Sequence, residues 1–272
     1  MATITASIVT YHTPVSDLDS CVASLAEAST VWVIDNSADS ATAARCAGYC
    51  AAGQRVVYRE SANIGYGSAH NIALRSAIAE GAGYHLVVNA DVSFSPSMLR
   101  RAVDYMETHC NVGLLHPRLR YPSGLDQYTV RLVPSPFDLI AHRFLPRRLV
   151  RRRMDRYELR AHDRGRELEC AYVQGSFMLL RTATLRDTGL FDELFFMYPE
   201  DIDLSRRIAA TGKWKVLYAP QFEAVHAHAA ASRRFGRMLG VHITNTVRYF
   251  NKWGWMHDPV RRRLNCHTLS QS

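Results

Sequence analysis

The chain predicts an α/β fold with a mostly parallel central sheet flanked by helices and basic helices at its C-terminal end. Three observations carry this. Short apolar runs of strand length alternate with helical patterns through the first half. Three of those runs end in polar clusters, Thr10-Tyr11-His12, Asp35-Asn36-Ser37 and Asn89-Ala90-Asp91. The final stretch, residues 233–272, is helical in pattern and rich in arginine. In open α/β sheets ligands sit beyond the carboxyl ends of the strands, so the three clusters mark one candidate crevice.

Taken in order, residues 4–11 read as a buried strand, and residues 17–28 as a helix capped by Ser16 or Asp17. Residues 31–34 and 55–58 read as the next strands. A loop through Asn63, Gly65 and Gly67 leads to a helix over about residues 68–80, stopped by Gly81 and Gly83. Residues 85–88 form a strand running into Asn89-Ala90-Asp91, and residues 97–109 a helix with Pro96 before it. A strand over 112–116 follows. Residues 123–169 are polar and basic, too long for a structureless loop, so they are either helical in part or a mobile functional insertion. The apolar run 172–180 contains Gly175-Ser176.

A chain of 272 residues with 47% hydrophobic content can bury a sizeable core. No apolar run is long enough to span a bilayer, and the N-terminus lacks the basic flank of a secretory signal, so a cytoplasmic chain is expected. Six scattered cysteines suit free thiols better than a disulfide framework, and Cys46-x-x-x-Cys50 has no second pair to complete a zinc site. The net charge of +8 is concentrated. Arg143, Arg147, Arg148, Arg151, Arg152, Arg153 and Arg156 crowd one segment, interleaved with Phe144, Leu145, Leu149 and Val150. A second group, Arg233, Arg234, Arg237, Arg261, Arg262 and Arg263, lies near the end of the chain. Such clusters suit polyanions: nucleic acid, an anionic membrane face or a diphosphate.

The densest chemistry is Tyr198-Pro199-Glu200-Asp201-Ile202-Asp203. Pro199 in a first helical turn sets Glu200, Asp201 and Asp203 on the positive end of a helix dipole. Neighbours on a helix diverge by about 100°, so Glu200 and Asp201 are expected to take different roles. The bland alternative is an acidic first turn followed by Arg206 and Arg207, as in many surface helices. Asn89-Ala90-Asp91 offers a carboxylate to a hard cation such as Mg²⁺, against the alternative of a turn Asp bonding its own backbone. Gly65-Tyr66-Gly67-Ser68-Ala69-His70 lacks the third glycine of a dinucleotide fingerprint, which excludes a nicotinamide site. Asn63-Ile64-Gly65 can still present its amide groups to a ligand. In a strand His226 and His228 would share one face, and one of them could complete a cation site with Asp91. Gly175-Ser176 has no nucleophile elbow around it, so a serine hydrolase has no support.

Read in sequence, Ser7-Ile-Val-Thr-Tyr-His12, Val33-Ile-Asp35-Asn36-Ser37, Asn63-Ile-Gly65-Tyr-Gly67-Ser-Ala-His-Asn71, Asn89-Ala-Asp91-Val92, Gly175-Ser-Phe-Met-Leu-Leu-Arg181, Glu200-Asp201-Ile-Asp203-Leu204 and Val225-His226 form one ordered set. That set, with Gly189-Leu-Phe-Asp192-Glu193 and Phe195-Phe196, resembles the inverting family 2 glycosyltransferases of the GT-A fold, in particular the bacterial rhamnosyltransferase-like branch. The resemblance spans residues 4–232. It implies Asp201 as general base with Glu200 as helper or acceptor contact. It assigns nucleotide-sugar binding to Thr10, Tyr11, Asp35, Asn36, Asn63, Gly65, Asn89 and Ala90. Asn89 stands where the family often has the first Asp of Asp-x-Asp, which leaves Asp91 as ligand for Mg²⁺ or Mn²⁺; His226 fits the accompanying histidine better than His228.

The organisation implied is a nucleotide-sugar-binding half (1–110), an acceptor-binding and catalytic half of the same domain (111–232) and a basic helical extension (233–272). The implied reaction moves a sugar from a nucleotide diphosphate, L-rhamnose from dTDP-L-rhamnose first. UDP-linked galactofuranose, N-acetylglucosamine or glucose is the alternative donor. The acceptor is a glycan or lipid-linked glycan of cell-surface polysaccharide synthesis. Peripheral contact with the inner face of an anionic membrane follows from the basic-aromatic segments. The rivals are a nucleic-acid-binding protein using the residue 143–156 cluster and a non-catalytic nucleotide-sugar binder. No recognised binding module surrounds the cluster, so nucleic acid is not expected as a partner.

Overall fold

The protein is represented by a computed structural model, which describes residues 2–140, 145–227 and 237–271. The N-terminal half runs β1 (Ile4–Thr10), α1 (Val15–Ser24), β2 (Thr30–Asp35), α2 (Ser40–Ala51), β3 (Val56–Glu60), α3 (Tyr66–Ala79) and β4 (Tyr84–Asn89). Its strands pair in parallel in the order β3-β2-β1-β4, with Thr10 level with Asp35 and Val9 level with Asn89. The register brings the three polar strand ends together.

The chain continues through β5 (Val92–Ser93), α4 (Pro96–Thr108), β6 (Val112–Arg120), β7 (Val130–Arg131), α5 (Pro136–Leu139), α6 (Arg147–Tyr157), β8 (Leu168–Glu169), β9 (Tyr172–Val173), β10 (Phe177–Arg181), α7 (Thr182–Thr188), α8 (Pro199–Ala210) and β11 (Lys215–His226). It ends in α9 (Arg237–Trp253) and α10 (Pro259–Leu269). β10 inserts antiparallel between β4 and β6, and β11 runs parallel to β6 and antiparallel to β5 and β8. β7 and β9 form a separate two-stranded ribbon.

Both sheet faces are covered, as the period of two requires: Leu86 and Val88 of β4 join one apolar cluster and Val87 the other. Phe177 and Leu179 of β10 likewise face away from Met178 and Leu180. In β1 the second face is polar but satisfied. The Ser7 hydroxyl lies 2.7 Å from His70 Nδ1 and 2.8 Å from His85 Nε2, and the Thr5 hydroxyl 2.8 Å from His85 Nδ1. Burial pushes the His85 pKa down to about 3 and that of His70 well below its usual value, so both rings are neutral core groups. His70, which interrupts the glycine pattern, ties α3 to the sheet.

Several boundaries differ from the sequence reading. α1 starts at Val15 after Pro14, without a side-chain cap from Ser16 or Asp17. α3 starts at Tyr66, before the expected residue 68, because Gly65 takes φ +95° and turns the chain there. α2 was not anticipated; Asp39 caps it by accepting from Ala41 N at 2.9 Å, and Cys46 and Cys50 fall one turn apart, buried and exposed. The run 172–180 is broken into β9 and β10 by Gly175 and Ser176.

The C-terminal helices pack on α8. Tyr249 and Phe250 of α9 join Ile202, Phe195 and Tyr172 in one cluster. Asp203 is buried and accepts from Arg207 Nε at 2.7 Å, Lys252 Nζ at 2.7 Å and Trp253 Nε1 at 2.8 Å. Arg206 is not a partner of the acidic turn. It is 1% exposed and forms two parallel hydrogen bonds of 2.6 Å to Asp258 at the start of α10. Arg206→Met strands the Asp258 carboxylate, and a loss of about 3–5 kcal/mol is expected in urea unfolding.

Candidate active site

α8 begins under strain. Tyr198, its N-cap, has φ +92°, a backbone region costly for a side chain bearing a Cβ, and its ring lies 4.9 Å from that of His242. Pro199 follows at the first helical position, and the turn drives Glu200 and Asp201 inward, 4% and 7% exposed. The two carboxylates diverge as helical geometry demands. Glu200 Cβ lies against Gly67 at the start of α3, and its Oε2 has no hydrogen-bond partner among the described residues. Asp201 Oδ2 accepts from Gly175 N at 2.9 Å and from the Tyr172 hydroxyl at 3.4 Å, while Oδ1 accepts from Ile202 N at 2.8 Å.

Burial raises both acids. Glu200 is held well above the usual carboxylate range by desolvation and by the charge of Asp201. Asp201 is pushed up to about 6 by desolvation, opposed by the Gly175 and Ile202 N–H groups and by the Arg131 charge. A Cβ on Gly175 would stand 3.2 Å from Asp201 Cβ, close enough to press on the side chain that this N–H holds.

The stretch before α8 is tethered to α3. The Asn71 amide donates to Phe191 O at 2.9 Å and accepts from Phe191 N at 3.1 Å, and Tyr66 N donates to Phe196 O at 3.0 Å. A Cβ on Gly65 would lie 2.2 Å from that same Phe196 oxygen, so the close approach admits only glycine.

The strand-end residues divide into those that brace and those that face outward. Asp35 is fully buried and accepts from Thr10 Oγ1, Ser37 N, Ser37 Oγ, Asp39 N and Tyr58 Oη, at 2.6–3.1 Å. Desolvation opposes its charge, but the bonds from Ser37, Asp39 and Tyr58 win and hold its pKa below the usual range. Any ligand contact to Asp35 must displace one of these donors. Asn36 donates to Gly65 O at 3.1 Å, leaving its buried Oδ1 without a partner among the described residues. Tyr11 and Asn63 are exposed, and Ala90 belongs to the core.

Asp91 and His226 meet because β5 pairs with the end of β11: Val92 stands opposite His226, and Ala227 N donates to Asp91 O at 2.9 Å. His226 is 1% exposed. Gln127 Nε2 donates to His226 O at 2.8 Å, which orients the amide so that Gln127 Oε1 accepts from His226 Nδ1–H, also at 2.8 Å. The other ring nitrogen, Nε2, lies 3.3 Å from Asp91 Oδ1. An imidazole nitrogen beside a carboxylate oxygen can share a cation, and among the described residues no third His, Cys, Asp or Glu completes a cluster. The donor set therefore fits an ion that takes its remaining ligands from phosphate and water. His228 lies outside the described residues.

Four participants were not anticipated from the sequence. The Tyr66 hydroxyl lies 2.9 Å from Asn89 Oδ1 and 2.8 Å from Gly175 O, joining the Asp91 turn to the Asp201 contact. Tyr172, Gln127 and Arg131 act as described above. The only sequence signal for Tyr172 and Gly175 was the glycine inside an apolar run.

Residues 5–188 match the glycosyl transferase family 2 model. The chain belongs to that family. It is 30% identical over 220 residues, 75% of this chain and 69% of the other, to the N-acetylglucosaminyl-diphospho-decaprenol L-rhamnosyltransferase of Mycobacterium tuberculosis. A shorter match, 38% over 79 residues (29% of this chain and 30% of the other), is to rhamnosyltransferase WbbL of Escherichia coli. Among solved structures, GalNAc-T7 with UDP, GalNAc and Mn²⁺ superposes with TM-score 0.67 at 14% identity, covering 93% of this glycosyltransferase and 48% of that chain. The mannosyltransferase PcManGT from Pyrobaculum calidifontis, with GDP-Man and Mn²⁺, gives 0.61 at 16% identity, covering 98% and 68%. The fold is therefore the mixed α/β fold of the GT-A glycosyltransferases.

The buried acid pair has a stability signature. A folded-state pKa raised above the unfolded value stabilises below the unfolded pKa, and that contribution is lost as pH rises through the folded one. Asp201→Asn should therefore be more stable than wild type at pH 8, by about 2–3 kcal/mol, with the difference vanishing near pH 3. Denaturant unfolding at the two pH values measures it.

Proposed function

We propose that this glycosyltransferase moves a sugar from a nucleoside diphosphate to an acceptor hydroxyl with inversion at the anomeric carbon. The observation that supports this most is the linkage of two opposed devices at one strand end. The Asp91–His226 pair at 3.3 Å is joined to the Asp201 carboxylate through Asn89, Tyr66 and Gly175. Asp91 and His226 would hold a Mg²⁺ or Mn²⁺ ion, which when bound neutralises charge growing on the departing diphosphate. Asp201 takes the proton from the attacking hydroxyl, and its raised pKa makes it a stronger base than a surface carboxylate. Gly175 N–H fixes that carboxylate so that one oxygen stays aimed. Glu200, also raised by burial and by the charge of Asp201, serves as an acceptor contact.

Thr10, Tyr11, Asn36, Asn63, Gly65, Asn89 and Ala90 frame the nucleotide, with the unpartnered Asn36 Oδ1 offering an acceptor and Asp35 bracing the strand ends. The donor is dTDP-L-rhamnose, since both similar curated proteins are named rhamnosyltransferases; a UDP-linked sugar is the second reading. The acceptor is a hydroxyl of a glycan on a lipid diphosphate, as the mycobacterial relative's name specifies for that enzyme. Work on such a substrate calls for contact with the inner face of the membrane. No helix among the described residues is long and apolar enough to cross a bilayer. The contact is made through the basic α6, whose Leu149 is 70% exposed.

Asp201→Asn should lower transfer about 10²- to 10⁴-fold while keeping nucleotide-dependent thermal stabilisation; near-normal turnover removes Asp201 from the mechanism. Because the base must be deprotonated, kcat should rise with pH through about 6 and then level; a flat profile between pH 5 and 8 contradicts it. In a thermal-shift panel of nucleotide sugars, dTDP-L-rhamnose with Mn²⁺ should stabilise wild type. The shift should disappear in excess chelator or in Asp91→Ala, and a stronger response to a UDP-sugar selects the second donor.

A further inference from the structure

A cavity of about 200 Å³ opens between α5, α6 and α10, and Ser135, Asp138, Arg153, Arg156, Tyr157 and Arg261 line it. Its charge is unbalanced. Asp138 is matched by Arg153, whose Nε donates to it at 2.9 Å and whose Nη2 donates to Ser135 Oγ at 2.8 Å. The Arg156 side chain makes no hydrogen bond or ion pair among the described residues. Arg261 reaches only backbone carbonyls, Pro134 O at 3.5 Å and Met256 O at 3.3 Å, both long for a guanidinium. The nearest acid on its own helix, Asp258, is engaged by Arg206. Two planar cations with unfilled donors face one small space, which an anion with several oxygens would satisfy.

Two further observations narrow the anion. Leu149, 70% exposed, precedes Arg153 by one turn and Arg156 by two, so apolar surface and cationic wall share one face of α6. A ligand with an anionic head and an apolar tail matches both. The cavity wall also connects to the candidate site through packed side chains. The Arg131 guanidinium lies 5.9 Å from the Tyr157 ring centroid, Arg131 stands across the β7–β9 ladder from Tyr172, and the Tyr172 hydroxyl donates to Asp201. Three side chains link the cavity wall to the candidate base.

We infer that this cavity is a phosphate subsite, in which Arg156 and Arg261 grip the diphosphate of a lipid-linked acceptor. This rests on the reading of Asp201 as the base for transfer to such an acceptor. An anionic phospholipid headgroup offers the same chemistry, so the test separates the two. Binding of farnesyl diphosphate to the full chain is measured in excess chelator, beside farnesol and beside vesicles containing phosphatidylglycerol. Wild type should bind the diphosphate and not farnesol. Arg156→Ala and Arg261→Ala should each weaken binding roughly 10- to 100-fold, Arg156→Glu should abolish it, and Asp91→Ala should leave it unchanged. Equal affinity in wild type and the arginine variants overturns the assignment. So does a loss confined to the vesicles, which makes the occupant a bilayer headgroup. The arginine variants should keep thermal stabilisation by nucleotide sugar with Mn²⁺. If wild type itself shows no such stabilisation but the diphosphate results hold, the transfer reading fails and the subsite stands.

Discussion

The site depends on the short hydrogen-bonded path from Asn89 through the Tyr66 hydroxyl to Gly175 and on to Asp201. β4 ends at Asn89 and β10 begins after Ser176, and the two reversals lie side by side because Asn89 N donates to Ser176 O at 3.0 Å. A tyrosine at the first position of α3 can reach both. Its single proton cannot be donated fully to Asn89 and to Gly175 at once, so the Asn89 amide completes the network by sharing that proton or by turning its NH₂ to the phenol. The consequence is geometric: the turn carrying Asp91 and the loop carrying the Gly175 N–H cannot move independently, and neither can Asp201.

The same architecture explains how a fold tolerates two buried carboxylates side by side. The start of α8 supplies a positive dipole end and Gly175 and Ile202 supply N–H donors, yet these only partly offset desolvation, so both acids remain reluctant to ionise. The cost is borne by the surroundings. Asp203, two residues on, is matched by Lys252, Arg207 and Trp253, and Arg206 by Asp258, so the rest of α8 is locked to α9 and α10. Helices read from sequence as a basic extension thus act as the clamp that keeps the strained Tyr198 turn in place.

What was legible in the sequence follows from locality. Strands β1, β2 and β4 are apolar runs with polar ends, and α8 announces itself through Pro199 and its acids, so these strands and the acidic turn needed no distant information. Spacing alone suggested that Asp91 shares a site with His226 or His228, and the family resemblance favoured His226; the contact itself depends on β5 pairing with β11 far along the chain. Tyr66, Tyr172 and Gln127 escaped notice because their hydroxyl and amide partners are backbone atoms or residues far away in sequence; Gln127 and His226 are 99 residues apart. α2 was missed although Thr42, Cys46 and Tyr49 carry its buried stripe at helical spacing, since alanine and glycine dilute the pattern. Asp35 was legible as important, but its saturation by five donors was not.

The proposed chemistry requires that Asp91 and His226 share a cation opposite Asp201. Crystals grown with Mn²⁺ and a nucleoside diphosphate, measured at a wavelength where manganese scatters anomalously, locate that ion without any assay. One strong anomalous peak bonded to an Asp91 carboxylate oxygen, to His226 Nε2 and to diphosphate oxygens is expected. A nucleotide bound at the strand ends with the manganese peak elsewhere, or touching neither side chain, would contradict it.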